Sequence, residues 1–439
     1  MGKGTNTEPE KNFTWDEVKQ HTKITDRWVV IDNNIYDVTR FQKRHPGGAR
    51  ILSHFAGQDA TEVWLAMHKN QSLSKKYMAS ICVGQVKEPC NYDKARAERQ
   101  KDVEELRQTA LKNGWFKSNP WFFIAHISSI VGFEVLGYFI MSTFGVSWPV
   151  YLVATACLVT TQAQAGWSQH DYGHWSVFKN RKANHAGQQF LLGFIKGASK
   201  QWWNFRHNQH HAKPNIYKKD PDITFPKDVF LFGTRIPVLF GKDRKKNMPY
   251  NYEHLYFWIF GPAALLPIIV NIEMIYFIVK RRDWYVIKDA LAMTAFFARY
   301  IILYGPFLGG WWGAIKLYFF VRFFESWWFT FCTQMSHIPM KVDYDADDDW
   351  LVSQTMSTRN IRSSFFNDWF SGHLNFQIEH HMFPTMPRHN YHKVQPLVKS
   401  LCKKHNLPYI EKPMITAFAD IVSSLKKSGE LWYDAYYHP

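Results

Sequence analysis

Residues 45–68 read HPGGARILSHFAGQDATEVWLAMH, and this stretch decides how the first part of the chain folds. A histidine stands at each end, His45 and His68, and the Pro-Gly-Gly after the first allows a sharp backbone turn. Upstream, residues 28–31 and 35–38 are apolar runs separated by a polar turn, which predicts two short strands. Two exposed histidines in a small domain are the simpler interpretation. The spacing, the glycine turn and the apolar residues between them favour two ligands of one haem iron instead.

The same segment strongly resembles cytochrome b5, and nearly all of residues 12–87 follows the pattern of that family. The resemblance implies a small α+β domain, placed here at residues 1–90, that binds haem b with His45 and His68 as axial ligands. An iron ligated on both faces has no open position for a substrate. Electron transfer is therefore the expected role of this domain.

The composition indicates a membrane protein and excludes two other classes. The 439 residues carry a net charge of +16, and 17% of them are aromatic, which suits a chain with much lipid-facing surface. The basic residues flank apolar runs and form no basic helix or finger motif, so no nucleic-acid partner is expected. The five cysteines are scattered and never in CxxC spacing, which argues against a disulfide framework.

Five apolar stretches follow a charged linker at residues 91–119. They cover residues 121–144, 148–166, 255–279, 290–308 and 312–335, and they approach or exceed the roughly 20 residues that a bilayer crossing needs. Residues 120–439 are therefore predicted to form an all-α transmembrane domain. Within the last stretch, Arg322 and Glu325 are three positions apart and are expected to pair on one helix face.

Three histidine clusters lie beyond the first two apolar stretches. They read HDYGH at residues 170–174, HNQHH at 207–211 and QIEHH at 377–381. Spacings of three and four residues place imidazoles on one face of a helix, and buried imidazoles without partners are costly unless they bind metal. Seven histidines and a glutamine exceed the four ligands that one zinc ion takes, so two metal ions are predicted. A pair of oxygen-activating irons suits the fused electron carrier.

The order of these clusters and apolar stretches resembles the membrane fatty-acid desaturases. With an N-terminal cytochrome b5 domain and Gln377 opening the third cluster, the match narrows to the front-end desaturases, which place a double bond between an existing one and the carboxyl end. Stretches such as HHAKPNIYKKDPDI (210–223) and FNDWFSGHLNFQIEHHMFPTMPRHNY (366–391) look like the animal delta-5 and delta-6 acyl-CoA desaturases. The residues do not decide between the two positions.

The wider family uses a further histidine upstream of the third cluster, and His337 is the best match for it. The predicted metal ligands are then His170, His174, His207, His210, His211, His337, Gln377, His380 and His381. No catalytic residue separate from these ligands is predicted. His373 is a weaker candidate ligand, and Asp171 and Glu379 are candidates for orienting ligand imidazoles. Structural roles are expected for His185, His254, His389 and His392.

These parts predict a complete electron route. A separate NADH–cytochrome b5 reductase is the expected partner, because the chain has no GxGxxG nucleotide-binding fingerprint. Electrons would pass through the haem to the two irons, which with O₂ as co-substrate would remove two hydrogens from a polyunsaturated fatty acyl-CoA. Membrane lipid is the other expected contact, and the family resemblance implies the endoplasmic reticulum membrane.

The haem domain and all three clusters must lie on one side of the membrane, which we expect to be the cytosolic side. Two crossings precede the first cluster, and an even number must separate the second cluster from the third, although three apolar stretches are available. Residues 255–279 contain Gly261, Pro262 and Pro267 and end at three basic residues. We expect that stretch to be interfacial or re-entrant, which leaves about four crossings plus interfacial helices.

Two other interpretations stay open. A hydroxylase or a sphingolipid or other acyl desaturase could use the same scaffold and would differ in its products. A non-catalytic membrane haem protein belongs to another class and would hold haem iron alone. The intact histidine clusters argue against the second of these.

Overall fold

The computed structural model describes residues 11–69, 71–88, 93–224, 229–234, 248–343 and 348–437. The strands are β1 (Asn12–Phe13), β2 (Thr22–Lys23), β3 (Asp26–Ile31), β4 (Asn34–Asp37), β5 (Cys82–Val86), β6 (Asn360–Ile361) and β7 (Glu411–Lys412). The helices up to the second histidine cluster are α1 (Trp15–Val18), α2 (Ala49–His54), α3 (Thr61–Met67), α4 (Gln71–Met78), α5 (Lys94–Lys112), α6 (Pro120–Phe144), α7 (Trp148–Gly173), α8 (Arg181–Gln188) and α9 (Lys200–Ala212). The later helices are α10 (Glu253–Trp258), α11 (Val270–Arg281), α12 (Trp284–Tyr304), α13 (Trp311–Gln334), α14 (Trp350–Ser357), α15 (Phe365–Ser371), α16 (Gln377–Met382), α17 (Tyr391–Lys404) and α18 (Met414–Tyr437).

A five-stranded sheet in the order β1-β5-β4-β3-β2 forms the framework of the N-terminal domain. The predicted strand pair is present as β3 and β4, which run antiparallel. They are joined by Asp32 and Asn33, whose φ angles of 54° and 60° are those of a type I′ hairpin turn. His45 precedes α2 and His68 follows α3, so two short helices position the predicted haem ligands. The predicted α+β domain is confirmed.

The linker helix α5 connects the two domains through a shared core. Asp93 caps its N-terminus by accepting a hydrogen bond from the backbone N–H of Arg96 (2.7 Å). Leu106 and Ala110 of α5 are buried in one apolar cluster that also contains Trp64 of the N-terminal domain and Met382 beside the third histidine cluster. The sequence did not predict this contact, because the linker is mostly charged. Two apolar residues four positions apart on a helix are nevertheless enough to pack against a core.

Long apolar helices dominate residues 120–334. Pro120 stands at the first position of α6, where its missing N–H costs nothing, and Asn119 caps the same helix. Among the described residues, α6 is the one helix long and apolar enough to cross a membrane by itself, and the total rises to three if each of two bent helix pairs counts as one span. Gln162, Gln164 and Gln169 make the second half of α7 more polar, and all three are buried. The count of four crossings stays a prediction.

The stretch 255–279 is broken, as its prolines predict. Its two parts, Tyr250–Ala263 and Leu265–Arg281, meet at an angle of 56°, and Pro262 and Pro267 lie within the irregular turns between α10 and α11. The other bent pair, Trp284–Phe307 and Trp311–Gln334, meets at 111°. The breaks bring the end of α13 back toward the histidine clusters.

Charged side chains within the apolar helices pair with one another. Arg322 contacts Glu325 at 2.6 Å on α13, as the spacing predicts, and Lys196 joins the same carboxylate. Arg299 of α12 pairs with Glu134 of α6. Such pairing is how charges are tolerated away from water.

Candidate functional site

The two predicted haem ligands face each other across a crevice. The ring centres of His45 and His68 are 6.3 Å apart. An imidazole nitrogen binds a metal at about 2 Å, so this separation leaves room for one ion between the rings. Nδ1 of His45 lies 3.3 Å from the Gly48 carbonyl oxygen, and Nδ1 of His68 lies 3.0 Å from that of Trp64. Each ring therefore donates through Nδ1 and keeps Nε2 unprotonated for the metal.

The histidine clusters stand at the ends of separate helices. The first lies on the last turn of α7, the second on the last turns of α9, and the third on α16. His337 follows the C-terminus of α13 by three residues. These helix ends converge, and they bring all nine predicted ligand residues into two adjoining groups.

The first metal group contains five histidines whose ligand nitrogens lie within 4.8 Å of one another. Nε2 of His174 is 2.8 Å from Nε2 of His207, and Nε2 of His211 is 3.0 Å from the Nε2 atoms of both His207 and His380. His170 completes the group. Several imidazole nitrogens thus point at one small volume, which is the arrangement of a metal site.

The second metal group contains His210, His337 and His381, again within 4.8 Å. Gln377 belongs with them, because its side-chain amide nitrogen lies 2.8 Å from Nε2 of His337. A half-turn of that amide presents its oxygen, the atom that binds metals, at the same place. Each metal group therefore has donors from more than one helix.

Orphaned nitrogens show that the residues fit metal ions. Nε2 of His170 and Nε2 of His381 are buried and have no hydrogen-bond partner. An unpaired buried polar atom costs free energy, so these nitrogens require a partner that the protein does not supply. A donor set made almost entirely of imidazole suits iron, zinc or copper.

Groups behind the ligands contact Nδ1 of four imidazoles, and the three partners that can only accept a hydrogen bond fix the tautomers of His381, His210 and His337. Nδ1 of His381 lies 2.9 Å from the Gln354 side-chain oxygen, and Nδ1 of His380 lies 2.8 Å from the Tyr391 hydroxyl. Nδ1 of His210 is 2.9 Å from the Asp220 carboxylate, and Nδ1 of His337 is 3.2 Å from the Ser357 carbonyl oxygen. A proton held on Nδ1 by a carbonyl or carboxylate leaves Nε2 free to bind a metal.

Burial and one carboxylate set the charge of the two metal groups. Burial lowers the pKa of His380 and His381 well below the usual value for histidine, so both rings are neutral and ready to bind a metal. Burial also acts to lower the pKa of His210, but the Asp220 carboxylate outweighs it and raises that pKa to about 8. Of these three imidazoles, only that of His210, in the second metal group, is readily protonated near neutral pH.

Comparisons with known proteins agree with this arrangement. A family model for fatty acid desaturase matches residues 146–413, and a model for the cytochrome b5-like heme/steroid binding domain matches residues 14–87. A Mus musculus protein, the fatty acid desaturase 2-like protein FADS2B, is 46% identical over 427 residues, which is 97% of this chain and 87% of that protein. This chain belongs to the fatty acid desaturase family.

Among solved structures, the cytochrome b5 of Ostreococcus tauri virus 2 is 35% identical and covers 18% of this chain and 98% of that chain, with a TM-score of 0.17. Family membership makes the protein a desaturase, an oxidoreductase, with a fused cytochrome b5-like domain. The domain implies haem binding and the family implies iron, and the histidine groups fit both. The desaturase family is membrane-bound, in agreement with the apolar helices.

The expectation that Asp171 and Glu379 orient imidazoles is wrong. Asp171 accepts a hydrogen bond from the backbone N–H of Arg388 (3.2 Å) and lies 3.3 Å from its guanidinium. Glu379 accepts from the Asn360 amide and the Tyr409 hydroxyl, each at 2.7 Å. Both carboxylates are adjacent in sequence to a ligand histidine, and neighbouring helix residues point in different directions.

His373 lies apart from both metal groups. Its ring packs against Phe122 and Phe376, with ring centres 5.7 and 6.3 Å away, and its φ angle is 65°. His389 has a structural contact, because its Nε2 accepts a hydrogen bond from the backbone N–H of Asn119 at 2.9 Å. A separation of seven residues from His380 did not place His373 on the same face, since His373 lies in a turn and the helix that carries His380 begins only at Gln377.

A cavity of about 200 Å³ adjoins the desaturase histidines. Members of both metal groups line it, and most of its remaining wall is apolar, including Leu192, Phe257, Leu266, Met274, Phe329 and Leu374. Arg322 and Gln334 also line it, and they are 12 residues apart on α13, so the wall extends roughly 18 Å along that helix. An elongated apolar space beside metal-binding histidines suits a hydrocarbon chain.

Proposed function

We propose that the protein is a front-end acyl-CoA desaturase that inserts a cis double bond at the delta-5 or delta-6 position of a polyunsaturated fatty acyl chain. The observation that carries the proposal is the elongated apolar cavity, which is lined by histidines of both metal groups. The name of the mouse relative, a fatty acid desaturase 2-like protein, supports an acyl substrate.

In this proposal the two metal groups each hold one iron, and His45 and His68 hold haem b. Five histidines would hold the first iron, and three histidines with the Gln377 side chain would hold the second. When bound, reduced iron would activate O₂ for the removal of two hydrogens from neighbouring carbons.

The residues of the chain do the positioning. Asp220, Gln354 and Tyr391 hold protons or hydrogen bonds at Nδ1 of their histidines and so keep the ligand nitrogens aimed at the metal positions. The apolar cavity wall excludes water and fixes the acyl chain, which decides which carbons lie beside the histidines. A misplacement of one carbon would change the product, so the cavity shape sets regioselectivity.

Electrons come, in this proposal, from NADH through a separate cytochrome b5 reductase and then through the fused haem domain. The proposed location is the endoplasmic reticulum membrane, with the haem domain and the histidine clusters on the cytosolic side and four crossings. The contacts of the haem domain with the segments after the first two histidine clusters support a common side.

Expression in yeast fed with defined polyunsaturated fatty acids tests the proposal. We expect a new cis double bond on the carboxyl side of an existing one, located by mass spectrometry of the products. No new double bond on any such substrate would refute it, and hydroxylated or long-chain-base products would identify the alternative chemistry on this scaffold. Metal analysis of the purified protein gives a second check, because a plain electron carrier would contain no iron beyond that of its haem.

A further inference from the structure

The haem-binding face of the N-terminal domain touches the turn that follows the first histidine cluster. Lys69, the residue after the haem ligand His68, donates through Nζ to the backbone carbonyl of Trp175 (3.1 Å), with the carbonyl of Ser176 at 3.4 Å. Trp175 is the residue after the metal ligand His174. One lysine side chain and one hydrogen bond therefore separate the backbone of a predicted haem ligand from that of a predicted metal ligand.

The turn that presents these carbonyls is unusual. Trp175 has a φ angle of 57°, a conformation that bulky side chains rarely adopt. Backbone hydrogen bonds from Trp175 to Tyr172 (3.1 Å) and from Ser176 to Asp171 (3.0 Å) hold the turn closed. The two carbonyls that contact Lys69 Nζ both belong to this turn.

The side chain of Trp175 adds a second element to this contact. The Arg181 guanidinium lies over its indole ring at 4.2 Å from the ring centre, and His185 packs against it edge-on at 5.9 Å. The Trp175 indole is thus held against two side chains of α8.

The segment after the second histidine cluster also contacts the N-terminal domain, at α2 and the residue that follows it. Nζ of Lys219 donates to the His54 carbonyl at 3.1 Å, and the Arg50 guanidinium donates to the Lys218 carbonyl at 3.2 Å. The Lys213 ammonium lies 4.9 Å from the centre of the Phe55 ring. The segments that follow the first and second histidine clusters therefore both contact the haem-binding domain.

We propose that Lys69 and Trp175 are positioning residues that hold the haem crevice against the metal centre for electron delivery. This inference rests on the proposed electron route. Each double bond requires two electrons, one O₂ and two protons, and releases two water molecules together with the product. The haem domain receives electrons from NADH through the reductase and carries one at a time. The haem crevice must therefore lie against the metal groups for two electron transfers in each turnover.

A purely structural contact would have a different signature. The buried apolar cluster around Leu106 already joins the domains, so loss of the Lys69 hydrogen bond leaves them attached. Loss of this hydrogen bond changes the position of the haem crevice relative to the metal groups. The readout is therefore the rate at which the reduced haem is reoxidised, and not the stability of the protein.

The test uses the full-length protein, loaded with haem and iron, reduced anaerobically with NADH and cytochrome b5 reductase. The reduced protein is mixed with O₂ and a polyunsaturated acyl-CoA, and reoxidation of the haem is followed by absorbance. We expect about tenfold slower reoxidation in Lys69→Met and in Trp175→Leu, because a charge-assisted hydrogen bond or a packed aromatic ring is lost. Lys69→Arg, which keeps a cationic donor, should restore most of the rate.

Lys76→Met is the matched control, because it removes the same charge from an exposed position on α4 of the same domain. Its reoxidation rate should equal that of the wild type. Reduction of the haem by the reductase and the haem spectrum should be unchanged in every variant. If Trp175→Leu loses its iron or its haem, Lys69→Met and Lys69→Arg alone decide the matter.

Two results separate the inference from the proposed function. If Lys69→Met and Trp175→Leu reoxidise as fast as the wild type, the positioning role is wrong while the electron route stands. If the wild-type haem is not reoxidised faster when acyl-CoA is added, the electron route itself is wrong and this inference fails with it.

Discussion

The haem crevice and the two metal groups both present imidazoles as candidate ligands, but they are built at very different ranges along the chain. His45 and His68 are held by carbonyls three and four residues away, within one short segment. The nine residues of the metal groups come from four places between residues 170 and 381, and side chains as distant as Gln354 and Tyr391 orient them. A local site tolerates change elsewhere, whereas a convergent site depends on every helix end that contributes to it.

The largest expected effect is that one substitution in each site abolishes the function of that site and leaves the other site intact. His174→Ala should abolish desaturation and leave the haem spectrum intact, because the haem crevice shares no residue with the metal groups. His68→Ala should remove the haem and leave the iron content of the two metal groups unchanged. Product analysis, the haem spectrum and metal content measure both outcomes.

His392→Ala is the control for both variants, since His392 is exposed and belongs to neither site. It should keep full activity. Loss of haem in His174→Ala would show that the two sites depend on each other for folding, and the comparison between local and convergent construction would fail.

Asp220→Asn should weaken the second metal group without touching the haem. The substitution removes the carboxylate that accepts from Nδ1 of His210, and loss of such a partner costs about 10- to 100-fold in metal affinity or activity. The exposed Asp434→Asn is the matched control and should leave both quantities unchanged. Equal effects of the two substitutions would deny Asp220 an orienting role.

The pH dependence of binding should also differ between the sites. The pKa of His210 is raised to about 8 by Asp220, after the opposing effect of burial, so metal must displace a proton from this ring below that pH. The affinity of the second group should fall about tenfold for each pH unit below 8. Burial lowers the pKa of His45 to about 4, so haem binding should stay constant from pH 5 to pH 8.

Metal titrations of the iron-free protein across that range measure the first quantity, and haem titrations measure the second. In Asp220→Asn the metal curve should move to lower pH, because the group that raises the pKa of His210 is gone. A flat metal curve in the wild type would contradict the assignment of His210 as a ligand.

The smallest expected effect concerns Gln377. Gln377→His replaces a weak amide donor with imidazole, and we expect activity within about threefold of the wild type. Gln377→Leu removes the donor, and we expect about a tenfold loss of activity with less iron retained. Steady-state rates and iron content distinguish the two, and equal rates for both variants would show that Gln377 is not a ligand.

Sequence reasoning succeeded where the determinants are periodic or contiguous. The strand pair, the helix spacing of the histidine clusters and the broken helix at Pro262 and Pro267 follow from local rules and are all present. His337 entered through the family resemblance and Gln377 through its place at the start of the third cluster, and the structure places them together. Asp220, Gln354 and Tyr391 were missed, since nothing in the local pattern says which polar residue will meet an imidazole from another helix.

The sequence by itself predicted two sets of histidines with the spacing of metal ligands and placed one set in a short, self-contained domain. Such information is local, because spacing, turn residues and helix period act over a few residues. Only the tertiary structure decided how nine donors divide into groups of five and four, and which side chains orient them. It also decided that Lys69 meets the turn after His174, because docking of one domain on another depends on side chains about a hundred residues apart.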